Sequence, residues 1–114
     1  MADTGALNPS EHFWFGQMVR KGFVPTPEQS DNLVWLCEQV MEQIRSIYSQ
    51  PPEIVKGWDP EDELHREGLA CDFRLSGVPL VQLSYELVMS TMPIARAYIE
   101  PDGMQWHIHV EARR

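Results

Sequence analysis

His107 and His109 stand two residues apart in Gln105-Trp106-His107-Ile108-His109-Val110. In a strand, that spacing sends both imidazoles to one face while Trp106, Ile108 and Val110 face the other. Two imidazoles on one face can begin a metal site, or they can be two solvated histidines. A second pair of residues lies upstream. Asp72 interrupts an apolar strand pattern, where a carboxylate is costly unless it is paired or bound to a cation. His65 lies just before that strand, and Gly68 permits the tight backbone that would fold the imidazole back towards Asp72. The alternative is a capping or salt-bridging Asp72, with Arg74 as partner, and a loop histidine. Taken together, two neutral imidazole nitrogens and one carboxylate oxygen are a common ligand set for catalytic zinc, with the fourth position left to water. Zinc brings the pKa of such a water near neutrality. A spare His or Glu nearby can then take the proton.

The elements that must position these residues follow from pattern and punctuation. Ser10 and Glu11 open a short helix containing Phe13, Trp14, Gln17 and Met18, with Gly22 as its stop. Thr26-Pro27-Glu28-Gln29 carries a capping Thr, a Pro at the first helical position and a Gln at the third. Leu33, Leu36, Cys37, Val40, Met41, Ile44 and Ile47 then recur at helical spacing until Pro51-Pro52, which makes this the main core helix. Glu53 to Lys56 reads as a short strand, Gly57 to Pro60 as a turn, and Pro60 to Glu63 as an acidic loop. From Gly68 the period becomes two: Leu69, Cys71, Phe73 and Leu75 point one way, Ala70, Asp72 and Arg74 the other. A third helix runs from about Pro79 to Ser90 with Leu80, Leu83, Leu87 and Val88 on its apolar face. Ile94 to Glu100 and Gln105 to Ala112 form two strands joined at Pro101-Asp102-Gly103. The expected fold class is α+β: a small antiparallel sheet with helices packed on one face.

Global properties narrow the function. The 114 residues suit one domain, 1–114, and 43% apolar content suits a folded core. No run approaches the roughly 18 apolar residues of a membrane span. Met1 to Pro9 has neither the basic start nor the apolar stretch of a secretory signal, so synthesis in the cytoplasm is expected. A net charge of −8 disfavours nucleic acid and anionic membranes as partners. Cys37 and Cys71 do not make a disulfide framework or a zinc-finger spacing and read as small buried residues. Trp14, Trp35 and Phe73 read as core or groove residues. Asp59 to Glu63 reads as a solvated acidic face, or as a cleft wall selecting a cationic or amidated peptide.

His65-Arg66-Glu67-Gly68-Leu69-Ala70-Cys71-Asp72 resembles the His-x-x-Gly-x-Ala-x-Asp motif of the D-Ala-D-Ala carboxypeptidase-like zinc peptidases, which include VanY-like enzymes and many phage endolysins. Trp106 to Val110 is similar to the family's second motif, an aromatic and a metal-binding His near the C-terminus. Ser10 to Phe13, Asn32 to Arg45 and Ile54-Val55 are similar to the opening, long helix and first strand of the short phage-type members. The resemblance implies a hedgehog/D-Ala-D-Ala peptidase-like fold and Zn²⁺ as cofactor, with His65, Asp72 and His109 as ligands. His107 and Glu100 would then handle the proton, and the two histidines exchange roles if His107 is the ligand. The implied activity is a zinc metallopeptidase, carboxypeptidase or endopeptidase, that cleaves peptidoglycan stem peptides. Such a protein would be released at lysis or carried in a phage particle. Some family positions differ. Ser-Gly-Tyr-Arg after the first strand is Lys56-Gly57-Trp58-Asp59 here, the family's Ser two residues before the first ligand is Glu63, and the usual Glu before the last His is Trp106 or Met104. These departures motivate the alternative expectation: a non-catalytic phage virion or tail protein that keeps the fold and binds other phage structural proteins.

Overall fold

A computed structural model describes residues 12, 13 and 15–114. The readings placed on Ser10, Glu11 and Trp14 lie outside the described residues. Within them the element order is α1 (Phe15–Met18), α2 (Pro27–Leu36), a π-helical turn (Cys37–Met41), α3 (Glu42–Tyr48), β1 (Glu53–Lys56), α4 (Glu63–Arg66), β2 (Ala70–Arg74), α5 (Leu80–Val88), β3 (Ile94–Asp102) and β4 (Gln105–Ala112). The four strands form one antiparallel sheet in the order β1-β2-β4-β3, so the protein is α+β.

The long helix begins as its sequence dictates. Thr26 caps it through a 3.2 Å bond from the Gln29 N–H to the Thr26 hydroxyl, and the Gln29 side chain returns a 3.0 Å bond to the Thr26 N–H. One wider turn, Cys37–Met41, carries the helix on into α3. The helix ends at Ser49, whose φ of 57° is left-handed, just before Pro51-Pro52. Leu33, Leu36, Cys37, Val40, Met41 and Ile44 are buried and cluster with Cys71 and Phe73 of β2, Ile108 and Val110 of β4, and Leu83 and Leu87 of α5. This is the core face of the sheet.

Several expectations about edges need correction. Ile47 is 59% exposed and Val88 53%, so the apolar faces of α3 and α5 are narrower than the residue pattern suggested. Trp106 is also mostly exposed, at 56%, because it sits near the hairpin tip beyond the helical layer. Pro101 and Asp102 are still paired in β3, opposite Trp106 and Gln105, so the turn is Gly103-Met104 and not Pro101-Asp102-Gly103. The expected acidic loop ends in a helical turn, α4, which lies against β2 and carries His65.

Two register irregularities decide which side chains reach the polar face. Between Ile94 and Arg96 the pairing of β3 with β4 shifts. A bulge inserts a residue and resets the alternation. Ile94 and Ala97 thus both join the core, while Arg96 bonds to Glu111 and the Tyr98 ring packs on His109. A matching shift between Ile54 and Lys56 sets Lys56 opposite Asp72.

Candidate metal centre

The face of the sheet opposite the core carries the site. Asp72 on β2 pairs with His109 on β4, and His109 pairs on its other side with Tyr98 on β3. One step along, His107 pairs with Glu100. These side chains are not solvated. His65, Asp72, His107 and His109 are all buried, at 1–4% exposure, so the reading of two exposed strand histidines does not hold. Nor is Arg74 the partner of Asp72: its guanidinium bonds to Asp102, Glu53 and the Trp106 carbonyl.

Asp72 is the hub. Its Oδ1 lies 2.7 Å from His109 Nδ1 and 3.3 Å from His65 Nε2, and its Oδ2 lies 3.2 Å from His107 Nε2. Burial works to raise the Asp72 pKa, but the hydrogen bonds and charges of His109 and His65 prevail and hold it well below the usual carboxylate range. For His109, burial works to lower the pKa, and bonds to Asp72 and Glu111 outweigh it, leaving it raised.

The three histidines differ at their second ring nitrogen. His65 Nδ1 lies 2.7 Å from the Gly57 carbonyl. That oxygen can only accept, so Nδ1 carries a proton, and Nε2 is the nitrogen turned towards Asp72. His109 Nε2 lies 2.9 Å from Glu111 Oε2. His107 Nε2 lies 3.0 Å from Glu100 Oε1, while its Nδ1 is buried without a hydrogen-bond partner. Metal-bound histidines almost always donate from the other nitrogen. His65 and His109 have that support; His107 does not.

His65, Asp72 and His109 each offer one donor atom, all within 4.8 Å of one another, and Asp72, Glu100 and His107 form a second such group. These buried groups could hold a metal ion: the donors are imidazole nitrogen and carboxylate oxygen, and the Gly57 carbonyl engages His65 Nδ1, so Nε2 is the nitrogen placed for ligation. The site meets solvent at Glu100 and Tyr98, whose exposures are 36% (side chain) and 37%. Tyr98 stacks on His109 with ring centroids 4.8 Å apart.

The structure thus brings together all five residues singled out from sequence. It adds Glu111 and Tyr98, which share the site face, and the carbonyl of Gly57. The alternation of β4 contained a signal for Glu111, two residues beyond His109 on the same face. No sequence signal points to a backbone carbonyl.

In Lys56-Gly57-Trp58-Asp59, Gly57 and Trp58 are buried scaffold. The Trp58 N–H bonds to the Met18 carbonyl, and its indole Nε1 donates to the Arg66 carbonyl at 2.6 Å. Asp59, Glu61 and Asp62 do not form a free acidic face, because Arg20 pairs with Asp59 and Glu61, and Lys56 with Asp59 and Asp62. A cavity of about 280 Å³ lies here, lined by Gln17, Met18, Arg20, Lys56 and Trp58 among others. It touches the site only through Gly57, and none of the site's His or carboxylate side chains lines it. Both cysteines are buried and free, as expected. No helix among the described residues is long and apolar enough to cross a membrane.

No protein-family model, no curated protein and no solved structure matches the chain.

Proposed function

We propose that the protein is a zinc-dependent peptidase acting on the stem peptides of peptidoglycan, with a D-Ala-D-Ala peptidase-like arrangement of its site. The observation that carries this reading is the convergence of His65 Nε2 and His109 Nδ1 on Asp72 Oδ1, at 3.3 and 2.7 Å, inside a motif of the resembled spacing. His65, Asp72 and His109 would hold the ion. The second-nitrogen partners favour His109 over His107 as the third ligand. Bound zinc supplies a Lewis acid for the scissile carbonyl and a water nucleophile acidified to near neutral pH.

The chain's own groups do the rest. His107 Nε2, whose N–H lies between the Glu100 and Asp72 carboxylates, is placed to pass a proton to Glu100. Glu100, with 36% of its side chain exposed, gives that proton an exit and can face an incoming peptide amide. The burial of the ligand side chains keeps bulk water out, which strengthens each electrostatic contact within. Tyr98 forms the wall at the open edge, where a peptide would enter.

A second reading, a non-catalytic phage virion or tail protein, draws on two observations. Asp72 already receives three imidazoles, so the network can satisfy itself as a structural device. Asp59 stands where the resembled family has a substrate-binding Arg, and it is occupied by Arg20 and Lys56. Metal analysis of zinc-equilibrated protein, together with mass spectrometry of muropeptide digests, separates the two. The peptidase reading expects one zinc per chain, cleavage of stem peptide, and loss of both in His109→Ala. Cleavage that persists without metal rejects the mechanism; a chain with neither zinc nor cleavage supports the structural role.

A further inference from the structure

We infer that Glu111, oriented by Arg96, is the positioning residue that presents His109 Nδ1 to the metal; the inference rests on the metal-site reading above. His109 is the only one of the three site histidines with a carboxylate at each ring nitrogen: Asp72 Oδ1 at Nδ1 and Glu111 Oε2 at Nε2. A neutral imidazole has a single N–H. When a metal displaces the Nδ1 proton, a carboxylate fixed at Nε2 holds the remaining N–H there and leaves the lone pair on Nδ1, the nitrogen that faces Asp72 and His65. Without it, the proton is free to sit on Nδ1, where it bonds to Asp72 and blocks ligation.

The position of Glu111 is itself fixed. Arg96 grips it with two bonds, Nε to Oε1 at 3.0 Å and Nη2 to Oε2 at 3.1 Å. The planar guanidinium matches both carboxylate oxygens, a geometry that sets direction as well as distance. Arg96 and Glu111 are paired across β3 and β4, and the shift between Ile94 and Arg96 brings the pair into register. His65 gains the same service from the Gly57 carbonyl. His107 differs: its carboxylate partner Glu100 lies at Nε2, the same nitrogen that faces Asp72, and its Nδ1 has no partner.

Partners of this kind are worth about 10–100-fold in metal affinity. Zinc affinity of the full chain, measured by competition with a chromogenic chelator, should fall by roughly that factor in Glu111→Ala. Glu111→Gln, whose amide oxygen still accepts the Nε2 proton, should recover part of it. Arg96 is 64% exposed by side chain, so Arg96→Ala should leave the fold intact, which its circular dichroism checks, and weaken zinc several-fold by loosening Glu111. Two-bond ¹H–¹⁵N correlation spectra of the zinc-loaded protein read the tautomer directly: His109 protonated at Nε2 in the wild type, with that signal broadened or lost in Glu111→Ala. Glu111→Gln and Arg96→Ala decide the matter if Glu111→Ala does not fold. Wild-type affinity and an unchanged His109 signal in these variants would overturn the inference while leaving the metal site standing. A wild-type chain that binds no zinc overturns both.

Discussion

Asp72 and His109 face each other across the β2–β4 ladder, with Asp72 Oδ1 2.7 Å from His109 Nδ1, and both side chains are almost wholly withdrawn from solvent. The same carboxylate meets His65 through Oδ1 and His107 through Oδ2, so one residue ties α4, β2 and β4 together.

That relationship makes Asp72→Asn the most informative single change. The amide keeps the size of the carboxylate and loses its charge. In metal-free protein the variant should lose about 1.5–3 kcal/mol, the usual worth of hydrogen bonds to a charged group. Chemical denaturation in the presence of EDTA measures this loss. Zinc binding should vanish in the same variant, because a neutral amide oxygen is a poor zinc ligand. A variant that still holds stoichiometric zinc would remove Asp72 from the ligand set.

Much of this arrangement could be read from residue spacing, for definite reasons. Thr26 and Gln29 act locally, through bonds between near neighbours, so their capping box is visible in four residues. The two-residue spacing of His107 and His109 needs only a strand to place both on one face. Asp72 was conspicuous because it breaks an apolar run. The features that escaped depend on neighbours distant in sequence. Glu111 and Tyr98 become site residues only once β3, β4 and β2 are in register, and the bulge between Ile94 and Arg96 sets that register. The Gly57 carbonyl carries no side-chain signature. Ile47 and Val88 fit the helical apolar pattern, yet the buried faces of their helices are too narrow to include them.

The site predicts a pH optimum for the stability of metal-free protein. Asp72 is depressed below its ordinary 3.8, so its contribution is complete above that value and is lost as pH falls through its folded-state pKa. His109 is raised above its ordinary 6.5, so its contribution is complete below that value and is lost as pH rises through its folded-state pKa. Both contributions are whole between pH 3.8 and 6.5, where the melting temperature in EDTA should be highest. Zinc competes with the His109 proton, so the stabilisation it confers should grow as pH rises. Scanning fluorimetry with EDTA and with zinc across this range checks both trends. A zinc-induced shift independent of pH would remove His109 from the ligand set.

The cysteines should be silent in the native state. Burial, helped by Glu42 and Glu38, pushes the Cys37 thiol up to about 12, and burial raises Cys71 well above its ordinary range. Thiolate is the reactive form, so at about pH 8 almost none is present. A chromogenic disulfide reagent should find no thiols in folded protein and two per chain in guanidinium. Prompt native reaction would mean that the interface between Cys37 on the long helix and Cys71 on β2 opens readily.

Two glycines test whether the scaffold positions the ligands as described. Gly68 adopts a φ of +82°, and a Cβ there would lie 2.5 Å from the Gln29 carbonyl oxygen and 3.0 Å from the Leu33 nitrogen. Both obstacles are helix backbone, which cannot step aside as a side-chain end can. Gly68→Ala therefore combines a left-handed backbone penalty of about 1–2 kcal/mol with an overpacking cost of about 1–3 kcal/mol. Gly57 meets a different obstacle: its Cβ would lie 2.4 Å from the Met18 carbonyl oxygen. Relief there requires moving the segment whose carbonyl anchors His65 Nδ1. Gly57→Ala should consequently weaken zinc binding as well as stability, whereas Gly22→Ala, at positive φ like Gly68 but with open space around its Cβ, should cost stability alone. Denaturant midpoints and zinc affinities measured in parallel distinguish these outcomes. Equal zinc affinity in Gly57→Ala and wild type would show that the His65 ring is held by something other than that carbonyl.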